Sequence, residues 1–317
     1  MKYDSIKIND EEKVYINPKT GEVFESDGTV YIETAEQRLQ RQEYFKKQKE
    51  IEAKIQLMKK KYEEYSNFTW YFYRINEANL PNLPPVYLVR LIYLATYINY
   101  DNTLKRTLKS FITEKDLPKL LDISETEARR FVTVLKRENI LLNDVQRNQP
   151  VLKLNHELFA KGQLPKSFVN GLEENNLSFT RLYADGIRKI YKQTVSSKRK
   201  HLGYVFKLLP YVNKQYNIVC YNPDETNREE IHSIPSSKIC ELLGCDISHK
   251  SRLFRSLLKI SFHSGKSIYS IMQYLTYSTE DNIEAMVLIN PSIYYAGHNW
   301  DEVKILAVNK FKKSKEK

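Results

Sequence analysis

The residue types with the most specific chemistry lie between Asp246 and Glu280, where the chain holds cations and no acid. Four cationic residues and one histidine recur at helical spacing in the first part of this stretch: His249, Lys250, Arg252, Arg255 and Lys259. Lysine and arginine only donate hydrogen bonds, and the major groove of a DNA duplex displays acceptors such as guanine O6 and N7. The pattern therefore predicts a helix that contacts bases and phosphates. The alternative is an ordinary solvated helix face.

A second predicted helix carries a mixed version of this surface. Its outward-facing residues include Thr126, Arg129, Arg130, Thr133 and Lys136. Glu125 and Glu127 lie at its start, and their carboxylates repel phosphate unless Glu127 is occupied as a helix cap. This helix is therefore predicted to be the weaker DNA reader, with a solvated face as the alternative.

Further cations flank the two helices. A basic cluster, Lys198, Arg199 and Lys200, stands at the start of another predicted helix, where positive charge opposes the helix dipole and favours a bound anion. We expect contact with the phosphate backbone there, the alternative being an ordinary linker cluster. Arg147 and Lys266 are predicted near the tips of two β-hairpins, within reach of phosphate or a minor groove.

Enzymatic chemistry is not indicated by the remaining motifs. Cys240, Cys245 and His249 have a faint metal-ligand spacing, but the two cysteines flank a helical turn and are better explained by packing. His249 and Arg252 match the His-x-x-Arg of tyrosine recombinases, yet no tyrosine follows Trp300 to act as nucleophile. Glycine-rich phosphate loops are missing as well. We predict no catalytic residue, no metal and no cofactor.

Composition restricts the class of protein further. The chain has 317 residues, a formal net charge of +11 and three cysteines. Three cysteines do not form a disulfide framework, and no apolar run reaches the roughly 20 residues of a membrane span. The sequence therefore predicts a cytoplasmic protein without a membrane partner. A second acid-free stretch, between Asp185 and Asp224, strengthens the expectation of a polyanionic partner.

An internal repeat organises the chain between residues 84 and 297. The run from Leu88 to Asn99 matches the run from Leu202 to Asn213 at a constant offset, and 120–124 is echoed by 242–248. Each copy ends with a similar sequence segment, at 151–162 and at 286–297. Repeats determine the architecture of a chain. Each copy is predicted to hold three helices followed by a β-hairpin, with strands at 140–143 and 151–154 in the first and at 267–276 and 285–290 in the second.

The segments outside the copies are predicted from turn and cap signals. Strands at 14–16, 23–24 and 29–32 form a β-meander, and a capping box at Thr34 opens a long polar helix to about Tyr65. That helix either forms a homodimer, packs on its own chain or lies along DNA. A helix at 179–195 bridges the copies, and the basic residues after Lys310 form a disordered tail.

The predicted fold class is mainly α with small β wings, in the form of two tandem winged helix-turn-helix domains. The predicted divisions are an N-terminal region at 1–83, domains at 84–162 and 196–300, a connector helix at 163–195 and a basic tail at 301–317. Two unequal readers in one chain favour an asymmetric or direct-repeat DNA site.

The helix from Leu88 to Tyr97, the segment 113–139, the closing Leu154-Asn155 with Phe159 and Gly162, and the turn at 17–22 resemble the winged-helix, MarR-like replication initiators and regulators of Gram-positive phages and plasmids. The resemblance implies sequence-specific binding to double-stranded DNA, without catalysis, together with replication or transcription machinery. The alternative is an architectural protein whose first domain binds protein while the second clamps DNA without specificity.

Overall fold

The computed structural model of the protein describes residues 7–9, 14–16, 23–25, 67–74, 83–107, 109–146, 148–162, 164, 177–278, 283–297 and 311–313. The chain forms two compact units, Met1–Tyr62 and Glu63–Lys317. In the first unit, β1 (Lys7–Asn9), β2 (Val14–Ile16) and β3 (Val23–Glu25) form an antiparallel meander. The strand predicted at 29–32 and the long helix with its homodimer hypothesis lie outside the described residues.

The second unit contains two similar halves, which we call half one (68–160) and half two (177–295). Half one begins with β4 (Phe68–Arg74) and ends with β9 (Phe159–Ala160). Between them lie α1 (Pro85–Ala95), β5 (Lys105–Thr107), β6 (Ser110–Phe111), α2 (Leu117–Leu121), α3 (Glu125–Arg137), β7 (Leu141–Gln146) and β8 (Gln149–Leu154). Pro85 suits the first position of α1 because proline lacks the N–H that is unpaired there.

Half two repeats this order with an insertion. It comprises β10 (Leu177–Tyr183), α4 (Ala184–Gln193), α5 (Arg199–Lys207), α6 (Ser236–Leu242), α7 (Lys250–Leu258), β11 (Ser261–Ser264), β12 (Ser267–Ser270), β13 (Met272–Ser278), β14 (Ile283–Ile289) and β15 (Tyr294–Tyr295). Helices α5, α6 and α7 correspond to α1, α2 and α3, and the hairpin β13–β14 corresponds to β7–β8. Helix α4 and the hairpin β11–β12 have no counterpart among the described residues of half one, and β5 and β6 have no counterpart strands among those of half two.

Matching asparagine side chains show that the halves are built alike. Asn102 and Asn217 both have a left-handed backbone, with φ of 60° and 56°. The Asn102 amide donates to the carbonyl oxygens of Leu154 and Phe159, and the Asn217 amide donates to those of Ile289 and Tyr294. Each asparagine thus connects the loop after α1 or α5 to the end of the hairpin and to the last strand of its half.

One four-stranded sheet, in the order β15-β10-β4-β9, joins the halves. At its centre Trp70 of β4 pairs with Arg181 of β10. On the outer sides, Trp70 pairs with Ala160 of β9 and Arg181 pairs with Tyr295 of β15. A half-turn about the central pair exchanges β4 with β10 and β9 with β15. The sheet therefore has an internal twofold axis.

The equivalent helices α1 and α5 pack against each other beside this sheet. A Cβ atom on Gly203 of α5 would stand 2.0 Å from the carbonyl oxygen of Pro85, so this close approach requires glycine. Tyr93 of α1 stacks on Tyr191 of α4 with 4.0 Å between ring centroids. One hydrophobic core includes buried residues of both halves. The halves are therefore parts of one packed body.

The predicted fold class is wrong. The structure has about 40% helix and about 30% strand, so it is not mainly α. Much of the additional strand comes from the central sheet, in which β10 occupies the first part of the segment predicted as the connector helix. Strand content also rises because β5, β6 and β11 were not predicted as strands. The segment 267–276, predicted as one wing strand, is divided between β12 and β13.

The segment predicted as a disordered tail is ordered at 311–313. Phe311 is buried in a small cluster with Ile218, Cys220 and Leu288. The strand β16 (Lys312–Lys313) then pairs with β12. An aromatic anchor therefore holds the start of the basic C-terminal segment on half two.

Candidate nucleic-acid interface

Helix α7 presents a cationic face because three apolar side chains hold its other face in the core. Leu253, Phe254 and Leu257 are buried. The outward side chains of His249, Arg252, Arg255 and Lys259 are exposed, whereas Lys250 is half-buried. Within the described part of the chain, no ion pair joins any of these five side chains to an acid. The charge of the lysines and arginines is therefore available to an external anion.

The 3-10 turn that leads into α7 is fixed by an aspartate cap. A 3-10 turn at Ile247–His249 precedes the helix, and the Asp246 carboxylate accepts hydrogen bonds from the Ser248 backbone N–H (2.8 Å) and from Ser248 Oγ (2.6 Å). These two hydrogen bonds hold the pKa of Asp246 below its ordinary value. The left-handed Gly244, with φ of 66°, makes the sharp turn between α6 and this cap.

Helix α3 has the same position in half one. Ala128, Phe131, Val132 and Leu135 are buried, so the opposite face points outward. The side chains of Thr126, Arg129, Arg130 and Thr133 are exposed, and Lys136 is half-buried. Ser124 caps this helix by accepting a hydrogen bond from the Glu127 N–H (3.2 Å), and Asp122 takes the left-handed turn position, with φ of 53°.

Most of the charge around α3 is neutralised within half one. Arg129 pairs with Glu125 at 3.7 Å, Lys136 with Glu114 at 2.5 Å, and Arg137 with Glu138 at 2.9 Å. Arg130 forms no ion pair with the described residues. These pairs are exposed, so they add little stability, but each acid opposes the approach of phosphate. The positive potential at α3 is therefore weaker than that at α7.

Lys198 and Lys200 extend the α7 surface to the start of α5. Both lysines are exposed, and the ammonium of Lys200 lies 5.7 Å from the ring centre of Tyr204. Between them and α7 lies the half-buried His201. Its pKa is lowered first by burial and then by Lys200, Arg252 and Lys198. Lys198, Lys200, His201 and Arg252 therefore lie on one positively charged surface. We call it, together with the outward face of α7, the α5–α7 surface.

Arg199 does not belong to this surface, because only 4% of it is exposed and its guanidinium is held by the protein. The guanidinium donates to the carbonyl oxygens of Leu121 (3.0 Å) and Asp122 (3.3 Å) and pairs with the Asp122 carboxylate at 2.8 Å. It also lies over the ring of Tyr191, 4.5 Å from the ring centre. The expected phosphate contact by Arg199 is therefore corrected. Arg199 fastens half two to the turn that precedes α3.

The two predicted hairpin-tip cations have different outcomes. Arg147 lies outside the described residues. Lys266 is exposed beside the left-handed Gly265, at the tip of the inserted hairpin β11–β12. Strand β11 is fixed to α4, because the His263 N–H donates to Gln193 at 2.6 Å and Lys189 donates to Ser264 at 3.3 Å. Lys266 thus lies on the inserted hairpin β11–β12. It does not lie on β13–β14, the hairpin that corresponds to β7–β8.

Arg90 is a positioning residue that the sequence analysis missed. Its side chain is buried in α1, between the rings of Tyr87 and Phe131, and its guanidinium pairs with Glu127 of α3 at 2.6 Å. This pair occupies the carboxylate that was expected to repel phosphate unless it served as a cap. An isolated charge inside an otherwise apolar helix was the available signal, because such a charge needs a partner when buried.

Among the described residues, no group of three or more His, Cys, Asp or Glu side chains is placed to hold a metal ion. Cys240 is buried beside Cys245, and burial raises the pKa of the Cys240 thiol. Nor does any described helix have the length and apolar character needed to cross a membrane.

Comparison with known proteins adds no relative: no family model, no curated protein and no solved structure matches this chain. The resemblance to phage and plasmid initiators and regulators therefore stays a prediction.

Proposed function

We propose that the protein binds double-stranded DNA in the cytoplasm of its host, with α7 in the major groove and α3 as a second, weaker reader. The observation that carries the proposal is the α5–α7 surface, where exposed cations without internal acid partners surround the start of two helices. Major-groove readers present such donors at the N-terminal part of a helix, and flanking lysines contact phosphates. Replication initiation and transcription control at such a site both remain compatible with this activity.

The internal twofold axis favours a particular arrangement of the DNA site. Reading helices related by a twofold axis approach a duplex in opposite directions, as those of symmetric dimers do on palindromes. The sequence alone favours an asymmetric or direct-repeat site, and of these the expected target is asymmetric: an inverted repeat whose halves differ. Because α1 and α5 share one core, the spacing of the half-sites should be fixed.

The test is selection of bound duplexes from a random DNA pool, carried out at two salt concentrations with the full chain. The expected result is a motif with two unequal, inverted halves, and binding that weakens as salt displaces the phosphate contacts. A bound pool without any motif, lost at the higher salt, would reduce the protein to an electrostatic clamp. An empty pool at both salt concentrations would remove the proposal.

A second candidate is an architectural protein in which half one contacts another protein and only the α5–α7 surface holds DNA. The ion pairs that neutralise the cations of α3 favour it. The two candidate functions predict different results for the double variant Arg129→Ala, Arg130→Ala. Loss of base preference in one half of the selected motif supports two readers, whereas an unchanged motif supports the architectural protein.

A further inference from the structure

The first residue after the helix cap differs in chemistry between the two halves. Ser124 and Asp246 are both helix caps, and each follows the left-handed turn residue by two positions. The next residue is Glu125 in half one and Ile247 in half two. The two halves therefore present a carboxylate and an aliphatic side chain at corresponding places.

Ile247 opens the 3-10 turn that precedes α7, and its exposure is unusual for an aliphatic residue. The residue is 49% exposed, whereas Leu253, Phe254 and Leu257 of α7 are buried. Ile247 shares this 3-10 turn with Ser248 and His249, and both of these residues are exposed. An apolar side chain is thus retained on the cationic face that is proposed to enter the groove.

Groove chemistry gives each residue a distinct complement. Thymine is the base that presents a methyl group in the major groove, whereas cytosine presents its N4 amino group as a donor. An aliphatic side chain gains by covering the methyl, and a carboxylate gains by accepting from the amino group. Glu125 lies 3.7 Å from Arg129 in an exposed pair, a weak contact that leaves its second oxygen free to accept.

We propose that Ile247 and Glu125 make the two half-sites different, with Ile247 reading thymine and Glu125 reading cytosine at the twofold-related base pair. This inference rests on the proposed function and assigns its base preference. It predicts that an exchange of one side chain changes one base preference and leaves the opposite half-site alone.

The test uses the selected duplex with each thymine of the half two site replaced singly by deoxyuridine, which removes only the methyl group. For the wild-type chain, we expect one such replacement to weaken binding about three- to fivefold, the effect of one buried methyl. The variant Ile247→Ala should bind thymine and deoxyuridine equally, and Ile247→Glu should prefer cytosine there. Leu242→Ala, which shortens another exposed aliphatic side chain, is the matched control and should keep the thymine preference.

The outcomes separate this inference from the function on which it depends. Sequence-specific binding that tolerates deoxyuridine at every position of the half two site would overturn the thymine assignment and leave the proposed function intact. Retained cytosine preference in the variant Glu125→Ala would overturn the other assignment. Failure to bind any duplex would instead remove the proposed function itself.

Discussion

The two reading helices have the same scaffold and different electrostatics. Both follow a left-handed turn, begin at a side-chain cap and bury three apolar residues at matching positions. Around α3, Glu114 from the segment before α2 and Glu125 from α3 itself pair with the cations. Around α7, no described acid forms an ion pair with the cations, and the nearby Asp246 accepts hydrogen bonds from Ser248. The comparison teaches that a repeated scaffold keeps its packing while the charge of each copy sets how strongly it can hold a polyanion.

The largest expected effect comes from removing the arginines of α7. The double variant Arg252→Ala, Arg255→Ala should lose about 2–6 kcal/mol of DNA-binding free energy, because each bidentate base contact contributes about 1–3 kcal/mol. The matched variant Arg129→Ala, Arg130→Ala should lose no more than about 2 kcal/mol, since Glu125 already engages Arg129. Titration of the selected duplex measures both, and equal losses would refute the inequality of the two readers.

Substitution of Arg199 should affect the stability of the fold, whereas substitution of its neighbour Lys198 should affect DNA binding. Arg199→Met removes donors to buried carbonyl oxygens and should lower the free energy of unfolding by about 2–4 kcal/mol. The identical substitution at the neighbouring position, Lys198→Met, should leave stability within about 0.5 kcal/mol. It should instead reduce the salt slope of DNA binding by about one. Thermal unfolding and salt titrations check these expectations, and a stable Arg199→Met protein with weakened phosphate contacts would reverse the assignment.

Half one should become a stronger DNA binder when an acid is removed from it. Glu114→Gln deletes the partner of Lys136 and should raise DNA affinity roughly fivefold, because the released ammonium can contact phosphate. Asp224→Asn is the control: its partner Lys214 lies over Phe179 of the central sheet, and affinity should stay unchanged. Equal gains in DNA affinity in the two variants would show that the change in net charge, and not the release of Lys136, causes the gain.

The smallest expected effect is a pH dependence from His201. The folded protein holds the pKa of His201 below the unfolded value of about 6.5, so its contribution to stability is present above that pH and is lost as the pH falls below it. Bound phosphate favours the imidazolium, and DNA affinity should therefore rise about two- to threefold between about pH 7.5 and pH 6. A pH series of binding titrations with wild type and His201→Gln tests this. The variant should show no rise.

The sequence predicts those features that depend on local pattern. Apolar spacing and caps place α3 and the region of α7, and the repeat is visible because equivalent helices bury equivalent residues. The strand β10 was missed because its register depends on β4, far away along the chain, and no breaker separates Tyr183 from Ala184, where strand becomes helix.

Charge partners were harder to predict than elements. Lys198 and Arg199 are neighbours of the same charge, and only the packing of half two on the turn at Asp122 decides which one is buried. Likewise, Arg90 and Glu127 meet only when α1 and α3 are packed together. The site could be predicted as a set of cationic helices, whereas the division into available and neutralised cations required the tertiary structure.

Protection of the selected duplex from hydroxyl-radical cleavage would show directly which DNA segments the two halves contact. We expect two protected blocks in inverted orientation, with the stronger block lost in the Arg252→Ala, Arg255→Ala variant and the weaker block lost in the Arg129→Ala, Arg130→Ala variant. A single block, or protection spread evenly along any duplex, would contradict the claim that two unequal halves read one DNA site.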